Sequence, residues 1–203
     1  MTYVKICGIK TVLDAQHCVA AGADAIGLNF YPESSRYIDL DSARAIAAAV
    51  VGKIALVGVF VDASESDVVT IRDVLQLTFV QFHGDEPPEV VGRFLPGAYR
   101  AFRVRDDGLR DEVLRFPGEH VLVDAYVPGM PGGTGATFDW NLAAPVARER
   151  KMFLAGGLNP DNVFAAIRAV HPHAVDVASG VESSPGVKDP LLVERFVARA
   201  KQR

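Results

Sequence analysis

Two side chains that can transfer protons stand at the ends of predicted β-strands. Cys7 ends the first strand, 4–7, and Asp124 ends a later apolar strand, 120–124. In parallel α/β sheets and barrels, catalytic groups lie at the carboxyl ends of the strands. A thiol and a carboxyl in equivalent positions on two distant strands therefore predict one pocket with two proton-transfer groups. The sequence leaves open which of them is the acid and which is the base.

The surroundings of Cys7 distinguish it from the other cysteine. Cys18 falls within a helical apolar pattern, which is typical of a core thiol. Cys7 could also be a core thiol, or a nucleophile, but Lys5 shares its strand face and a nearby cation favours the thiolate, the form that accepts a proton. For Asp124, the alternative to a general acid is a carboxylate that caps the following loop.

Two glycine-containing segments follow the last two predicted strands. One contains Gly156 and Gly157, and the other contains Ser179 and Gly180. In (β/α)8 barrels the corresponding two loops commonly form a phosphate site, because backbone N–H groups can approach phosphate oxygens closely at glycine. Each segment alone is equally consistent with an ordinary turn, but together they predict binding of a small phosphorylated molecule.

Three further features could contact a substrate. Arg36, in the loop after the second strand, could bind a carboxylate with paired hydrogen bonds, although a solvated surface arginine is the alternative. His83 could orient a polar group in the pocket or simply be a hydrogen-bonded interior histidine. The loop 129–135 could be a mobile cover over the substrate or a flexible turn.

These residues are carried by eight alternating strand and helix patterns. The pattern predicts an α/β fold, a (β/α)8 TIM barrel that forms a single domain over residues 1–203. A doubly wound open sheet is the competing architecture, but no GxGxxG follows the first strand. The predicted strands are 4–7, 25–30, 54–60, 79–83, 99–103, 120–124, 152–155 and 174–179. The predicted helices are 12–21, 41–50, 65–75, 87–94, 109–116, 140–148, 161–170 and 191–201. Asp41 and Ser64 are predicted to cap helix starts, Gly22 to end the first helix and Pro160 to open the seventh.

Charged residues occur within otherwise apolar strands. Because helices cover the outside of such a barrel, the apolar face of each strand must point outward and the polar face inward. The first and last strands are neighbours in a closed barrel, so Lys5 and Asp176 are predicted to approach each other inside it. Such a pair could serve packing alone.

Composition limits the partners and the compartment. The chain has 203 residues, 49% of them hydrophobic, with a net charge of −4. This balance argues against nucleic acid as the main partner. No apolar run approaches the ~20 residues of a membrane span, and the first residues do not form a signal peptide, so we expect no membrane partner and a cytoplasmic location. The two cysteines form neither a CxxC pattern nor a zinc spacing, so no metal and no disulfide are expected.

The motifs taken together resemble the phosphoribosylanthranilate isomerase family of tryptophan biosynthesis. The similarity runs in order through nearly the whole chain. It is carried by the segments 5–9, 22–27, 30–32, 35–38, 57–61, 80–84, 132–135, 138–140, 155–160 and 175–182.

The resemblance implies an Amadori rearrangement of N-(5-phosphoribosyl)anthranilate. Asp124 would protonate the furanose ring oxygen, and Cys7 would remove the proton from C2′ of the resulting iminium. Arg36 would hold the anthranilate carboxylate, and the phosphate would bind at Gly156, Gly157, Ser179 and Gly180. The reaction is redox-neutral, so no cofactor is expected. The sequence does not decide between a monomer and a homodimer.

Two other functions remain open at this point. The related aminoaldose isomerisation of histidine biosynthesis uses similar chemistry, but its substrate carries a phosphate at each end and no second phosphate loop stands out in the first half of the chain. A sugar-phosphate binder without catalytic activity would need only the glycine loops. A thiol-redox role would need a second cysteine placed to resolve an oxidised Cys7.

Overall fold

Eight parallel strands close into a barrel, which confirms the predicted fold class. The computed structural model describes residues 1–104, 108–125 and 140–202. The strands pair in chain order, and the first also pairs with the eighth, so the sheet has no open edge. The strands are β1 Tyr3–Cys7, β2 Ala25–Asn29, β3 Ala55–Phe60, β4 Phe79–Phe82, β5 Ala98–Val104, β6 His120–Ala125, β7 Lys151–Leu154 and β8 Ala174–Val177.

Helices follow the strands around the outside. They are α1 Val12–Ala21, α2 Leu40–Val50, α3 Glu65–Leu75, α4 Pro88–Arg93, α5 Leu109–Leu114, α6 Ala144–Glu149, α7 Val163–Val170 and α8 Pro190–Ala200. Two 3₁₀ turns cover Trp140–Leu142 and Ser179–Val181, and a hairpin of β9 Glu182–Ser184 and β10 Val187–Lys188 follows β8. In the part of the chain described, none of the helices has both the length and the apolar character that crossing a bilayer requires.

Of four predicted helix start and stop signals, two are confirmed and two are wrong. Ser64 caps α3, and Gly22 ends α1 in the left-handed conformation that glycine adopts without strain. The cap of α2 is Asp39, whose carboxylate accepts from the N–H of Ser42, rather than the predicted Asp41. Pro160, predicted to open α7, precedes its first residue, Val163, by three positions.

The predicted helix over 140–148 is broken because of a proline. The segment Trp140–Leu142 forms a 3₁₀ turn, and α6 begins only at Ala144, with Pro145 in its first turn. Proline has no N–H for an i→i−4 hydrogen bond, and its ring collides with the carbonyl group four residues earlier. A continuous helix through Pro145 would therefore be strained, whereas a start just before it is not.

The alternation of strand side chains separates two environments. Val4 and Ile6 of β1 face outward and are fully buried under the helices. Lys5 faces inward, stands in register with Asp176 of β8, and bonds its carboxylate oxygen with an Nζ–Oδ1 distance of 3.0 Å. The predicted approach of these two residues is thus confirmed. The same inward face carries a second apolar cluster that includes Tyr99 and Phe153.

Candidate active site

A cavity of about 270 Å³ lies at the carboxyl ends of the strands. Its lining comes from the ends of β1, β2, β3, β4, β6, β7 and β8 or the loops after them, so residues distant in sequence meet there. Seven of the eight predicted site residues line it: Cys7, Arg36, His83, Asp124, Gly156, Gly157 and Ser179.

Cys7 stands at the end of β1, where Gly27 of β2 leaves space for its sulfur. A Cβ added at Gly27 would lie 2.7 Å from Sγ of Cys7, too close for any side chain. Burial raises the pKa of Cys7, and the positive charge of Lys5 offsets this only in part. Lys5 thus favours the thiolate, as expected, but desolvation outweighs the cation and the net shift of the pKa is upward. Cys18 is a buried core thiol, as expected, and burial raises its pKa to about 12.

Lys5 belongs to a network of buried hydrogen bonds beneath the cavity. Its Nζ donates to Oδ1 of Asp176 at 3.0 Å and to Oε1 of Gln81 at 2.9 Å, and the hydroxyl of Tyr99 donates to the same Gln81 oxygen at 3.1 Å. Burial is the largest single influence and would lower the pKa of Lys5, but the charge and hydrogen bond of Asp176 together with the nearby Cys7 and Tyr99 outweigh burial and raise it. Lys5 is therefore a permanent cation at the base of the site.

His83 links this network to Asp124. Nδ1 of His83 lies 2.9 Å from the amide nitrogen of Gln81, and Nε2 lies 3.6 Å from Oδ2 of Asp124. The second distance is longer than a hydrogen bond. Asp124 is buried, so electrostatic interactions between its carboxyl group and neighbouring charges are stronger than they would be in water. One imidazole nitrogen of His83 thus contacts the Gln81 amide, and the other faces the Asp124 carboxyl group.

Arg36 is held at the rim by Glu182, which follows β8 and is itself bonded by Lys188. Glu182 accepts from Nε and Nη2 of Arg36 at 2.8 Å each, and it also accepts from Nζ of Lys188 at 2.7 Å. Burial would raise the pKa of Glu182, but these hydrogen bonds outweigh burial and lower it. Gly8, with φ +78°, is required here because a Cβ would lie 2.5 Å from Cδ of Arg36. One edge of the guanidinium is thereby occupied and its direction fixed.

The two glycine loops, which follow β7 and β8, pack closely against each other. Gly156 and Gly157 both have positive φ, 85° and 65°, and the side-chain amide of Asn162 donates to the Gly157 carbonyl at 2.9 Å. Gly180 does not line the cavity but supports it, since a Cβ there would lie 1.9 Å from the carbonyl oxygen of Leu158. The loops after β7 and β8 can pack this closely only because residue 180 is glycine.

A metal centre is not built into this arrangement. Across 1–104, 108–125 and 140–202, no group of three His, Cys, Asp or Glu side chains is arranged to hold a metal ion. The glycine-rich loop 129–135, predicted as a possible cover, lies outside the described residues.

The model of one protein family, N-(5′-phosphoribosyl)anthranilate (PRA) isomerase, matches residues 4–199. The chain belongs to this family. The PRA isomerase of Geotalea uraniireducens is 46% identical over 201 residues, with 99% of each chain covered. Among solved structures, phosphoribosyl anthranilate isomerase from Thermotoga maritima superposes with a TM-score of 0.91 at 40% identity, again with 99% of both chains covered. A further PRA isomerase structure, 38% identical with a TM-score of 0.88 and 99% coverage of both chains, is a complex with reduced 1-(o-carboxyphenylamino)-1-deoxyribulose 5-phosphate.

Sequence reasoning assigned no function to four residues that shape this PRA isomerase-family site. Gln81 was recognised only as an inward-facing strand residue, and its polar type beside His83 was the available signal. Gly27 carried no signal beyond its residue type. Glu182 and Lys188 belong to the hairpin of β9 and β10 that follows β8, where Glu182 bonds Arg36 and Lys188 bonds Glu182.

Proposed function

We propose that the chain catalyses the isomerisation of N-(5-phosphoribosyl)anthranilate, an aminoaldose, to 1-(2-carboxyphenylamino)-1-deoxyribulose 5-phosphate, an aminoketose, in tryptophan biosynthesis. Membership of the PRA isomerase family supports this activity. The observation that carries it for this chain is that a thiol and a carboxyl, Cys7 and Asp124, face one cavity together with the glycine loop 156–157. Two proton-transfer groups and an anion site are what the reaction needs.

Asp124 acts as the general acid in the first step. Its proton goes to the furanose ring oxygen, the bond between this oxygen and C1′ breaks, and the lone pair of the substrate nitrogen forms the C1′=N bond. The product is an open-chain iminium with a free hydroxyl group.

Cys7 acts as the general base in the second step. The thiolate takes the C2′ proton, the C–H electron pair becomes the C1′=C2′ bond, and the C=N pair returns to nitrogen. Protonation at C1′ with loss of the enol proton gives the ketone. C2′ is oxidised and C1′ reduced, so the reaction needs no external electron carrier. The positive charge of the iminium opposes the effect of burial on the pKa of Cys7, so the thiolate is favoured when it is needed.

The remaining contacts bind the two ends of the substrate. A guanidinium has five N–H donors, and Glu182 uses two of them on Arg36. The other donors, which have no partner among the described residues, are assigned to the anthranilate carboxylate. The phosphate is assigned to the backbone N–H groups of Gly156 and Gly157 and to Ser179, with Gly180 allowing the two loops to meet. His83 is assigned to the reacting end, beside Asp124.

A turnover assay with N-(5-phosphoribosyl)anthranilate tests the proposal. Wild-type protein should convert it, while Cys7→Ser and Asp124→Asn should lose about 10²–10⁴-fold in kcat with an unchanged circular dichroism spectrum. Cys18→Ala is the matched control and should retain kcat. Folded wild-type protein that binds the aminoketose but converts no substrate would be a binder, and turnover of only the histidine-pathway aminoaldose would support that alternative.

Two expectations from the sequence stay predictions. A cytoplasmic location and a monomeric or homodimeric state are consistent with the proposed function but independent of it. Sedimentation of the purified chain at several concentrations would distinguish monomer from homodimer.

A further inference from the structure

A row of hydrogen-bonded side chains crosses the barrel interior and ends at His83, which faces Asp124. It runs from Asp176 through Lys5 and Gln81 to His83. We propose that Gln81 is a positioning residue that holds His83 as the neutral tautomer with its proton on Nε2. In that form His83 can donate a hydrogen bond to Asp124 but cannot take its proton. This inference deepens the proposed function, because it assumes that Asp124 is the general acid.

The orientation of the Gln81 amide follows from its neighbours. The ammonium group of Lys5 has only donors, so the Gln81 atom 2.9 Å from it must be the carbonyl oxygen. The hydroxyl of Tyr99 reaches the same atom at 3.1 Å. Lys5 is fully buried and paired with Asp176, so it holds a fixed position and cannot turn elsewhere for partners. The –NH₂ group of Gln81 must therefore point the other way, toward His83.

The orientation of the amide in turn decides the tautomer. An amide –NH₂ group can only donate, so Nδ1 of His83, 2.9 Å away, must accept and carries no proton. A neutral imidazole then has its proton on Nε2. Within residues 1–104, 108–125 and 140–202, Nε2 is buried and has no hydrogen-bond partner. This nitrogen lies 3.6 Å from an Asp124 oxygen, and catalytic hydrogen bonds that are long in the free enzyme commonly shorten when substrate is bound.

The tautomer matters because imidazole is a stronger base than a carboxylate. Their ordinary pKa values are about 6.5 and about 3.9. With the proton on Nδ1, the free lone pair of Nε2 would face Asp124 and withdraw the proton that the substrate requires. With the proton on Nε2, that proton stays on Asp124 until the furanose oxygen takes it. The N–H then stabilises the carboxylate that remains.

Long-range ¹H–¹⁵N spectra of histidine-labelled protein measure the tautomer directly, without substrate. Above neutral pH we expect His83 to show an unprotonated Nδ1 and a protonated Nε2, with its signals assigned by their loss in His83→Asn. Gln81→Glu retains an acceptor for Lys5 and Tyr99 but presents an oxygen to Nδ1, so the proton should move to Nδ1. A wild-type spectrum with the proton on Nδ1, which needs no variant to fold, would overturn the inference. An unchanged tautomer in folded Gln81→Glu would overturn it too.

Kinetics test the link to catalysis. Gln81→Glu should lower kcat about tenfold or more and leave KM within about twofold, since the lost interaction acts on proton transfer and not on binding. In a His83→Asn background the same change should have little further effect. Equal losses in both backgrounds would show that Gln81 acts through packing and would overturn the inference. If wild-type protein has no turnover at all, the proposed function fails, while the tautomer is still decided by the spectra.

Discussion

The two ends of the barrel interior are built by the same strands and have opposite chemistry. At the amino end, Phe153 stacks on Tyr99 with ring centroids 5.0 Å apart and meets Tyr3 edge to face at 6.0 Å. Two and four residues further along β1 from Tyr3, the inward positions are Lys5 and Cys7. One end is filled with apolar rings, and the other is a chain of hydrogen bonds that opens into the cavity.

The difference shows how one fold separates stability from chemistry. The aromatic end can be packed tightly because nothing has to enter it. The polar end has buried charges that are tolerable only because each is paired, as Lys5 is with Asp176. Tyr99 belongs to both ends, since its ring stacks on Phe153 while its hydroxyl bonds Gln81. Changes at the two ends should therefore affect different measurements.

The largest effect is expected at the aromatic end. Phe153→Ala should lower the free energy of unfolding by about 3–5 kcal/mol, because it removes a buried ring and leaves a cavity among its neighbours. Chemical denaturation would measure this loss, and the folded variant should keep kcat within a few fold. Leu13→Ala, at an exposed position on α1, is the control and should change stability by less than about 0.5 kcal/mol. A large loss of kcat in folded Phe153→Ala would contradict the separation of the two ends.

The next effect is expected at the polar end. Gly27→Ala should displace the sulfur of Cys7, because the added Cβ would stand 2.7 Å from it. We expect kcat to fall about 10–100-fold, since small displacements of a reacting group cost that much. Gly92→Ala is the matched control, because its added Cβ would make only ordinary contact, 3.7 Å from Pro117. Steady-state kinetics of both variants measure the change in kcat. A wild-type kcat in Gly27→Ala would show that the position of Cys7 is not critical.

A smaller effect is expected for the rim of the cavity. Arg36→Lys preserves the charge but loses the paired geometry with Glu182 and with a substrate carboxylate. KM should rise about tenfold, equivalent to about 1.4 kcal/mol, with a smaller change in kcat. Arg44→Lys, on the exposed surface of α2, should leave both constants unchanged. A fall in kcat without a rise in KM would place Arg36 in the chemical step instead.

The smallest effect concerns acid stability at the aromatic end. Burial lowers the pKa of His120, which packs against Phe79 with centroids 5.2 Å apart. The unfolded chain then binds more protons at this residue than the folded chain, so its contribution to stability is fully present above about pH 6.5 and is lost as pH falls from there through the lower folded-state pKa.

In His120→Gln, Tm should decrease less between pH 7 and pH 5 than it does in the wild-type protein. The expected change is below about 1 kcal/mol, or roughly 2–4 °C, because the ring is partly exposed. Thermal unfolding at several pH values measures it. His171→Asn, at the exposed end of α7, is the control and should alter the slope less. A steeper fall in His120→Gln would contradict the sign worked out here.

Much of the fold could be predicted because each strand repeats the same local pattern. Val4 and Ile6 alternate with Lys5 and Cys7, and this period of two indicates both the strand and its inner face. Element ends were less predictable. Asp39 and Asp41 are both suitable caps by type, and only the backbone conformation at Asp39, extended before the helix, selects it. The short hairpin after β8 has no such repeat and was not predicted.

The site residues that lie at the carboxyl ends of strands could be predicted from the sequence. Cys7, His83 and Asp124 were all found from their positions at or beside the carboxyl ends of strands, and they line one cavity. The direction in which the pKa of Cys7 shifts was not predictable, because it depends on whether burial or the charge of Lys5 has the larger effect. The role of Glu182 was also out of reach, since its contact with Arg36 joins residues 146 positions apart.

The order of polar and apolar residues along each strand by itself determined the barrel, the inward direction of the charged side chains and the end at which chemistry is placed. Those features follow from the alternation of residue types along a strand, and each strand segment contains that pattern within itself. Only the tertiary structure decided which way the Gln81 amide points, how far Cys7 is desolvated and what holds Arg36. Each of these is a balance among groups from different strands, and no single segment contains both sides of it.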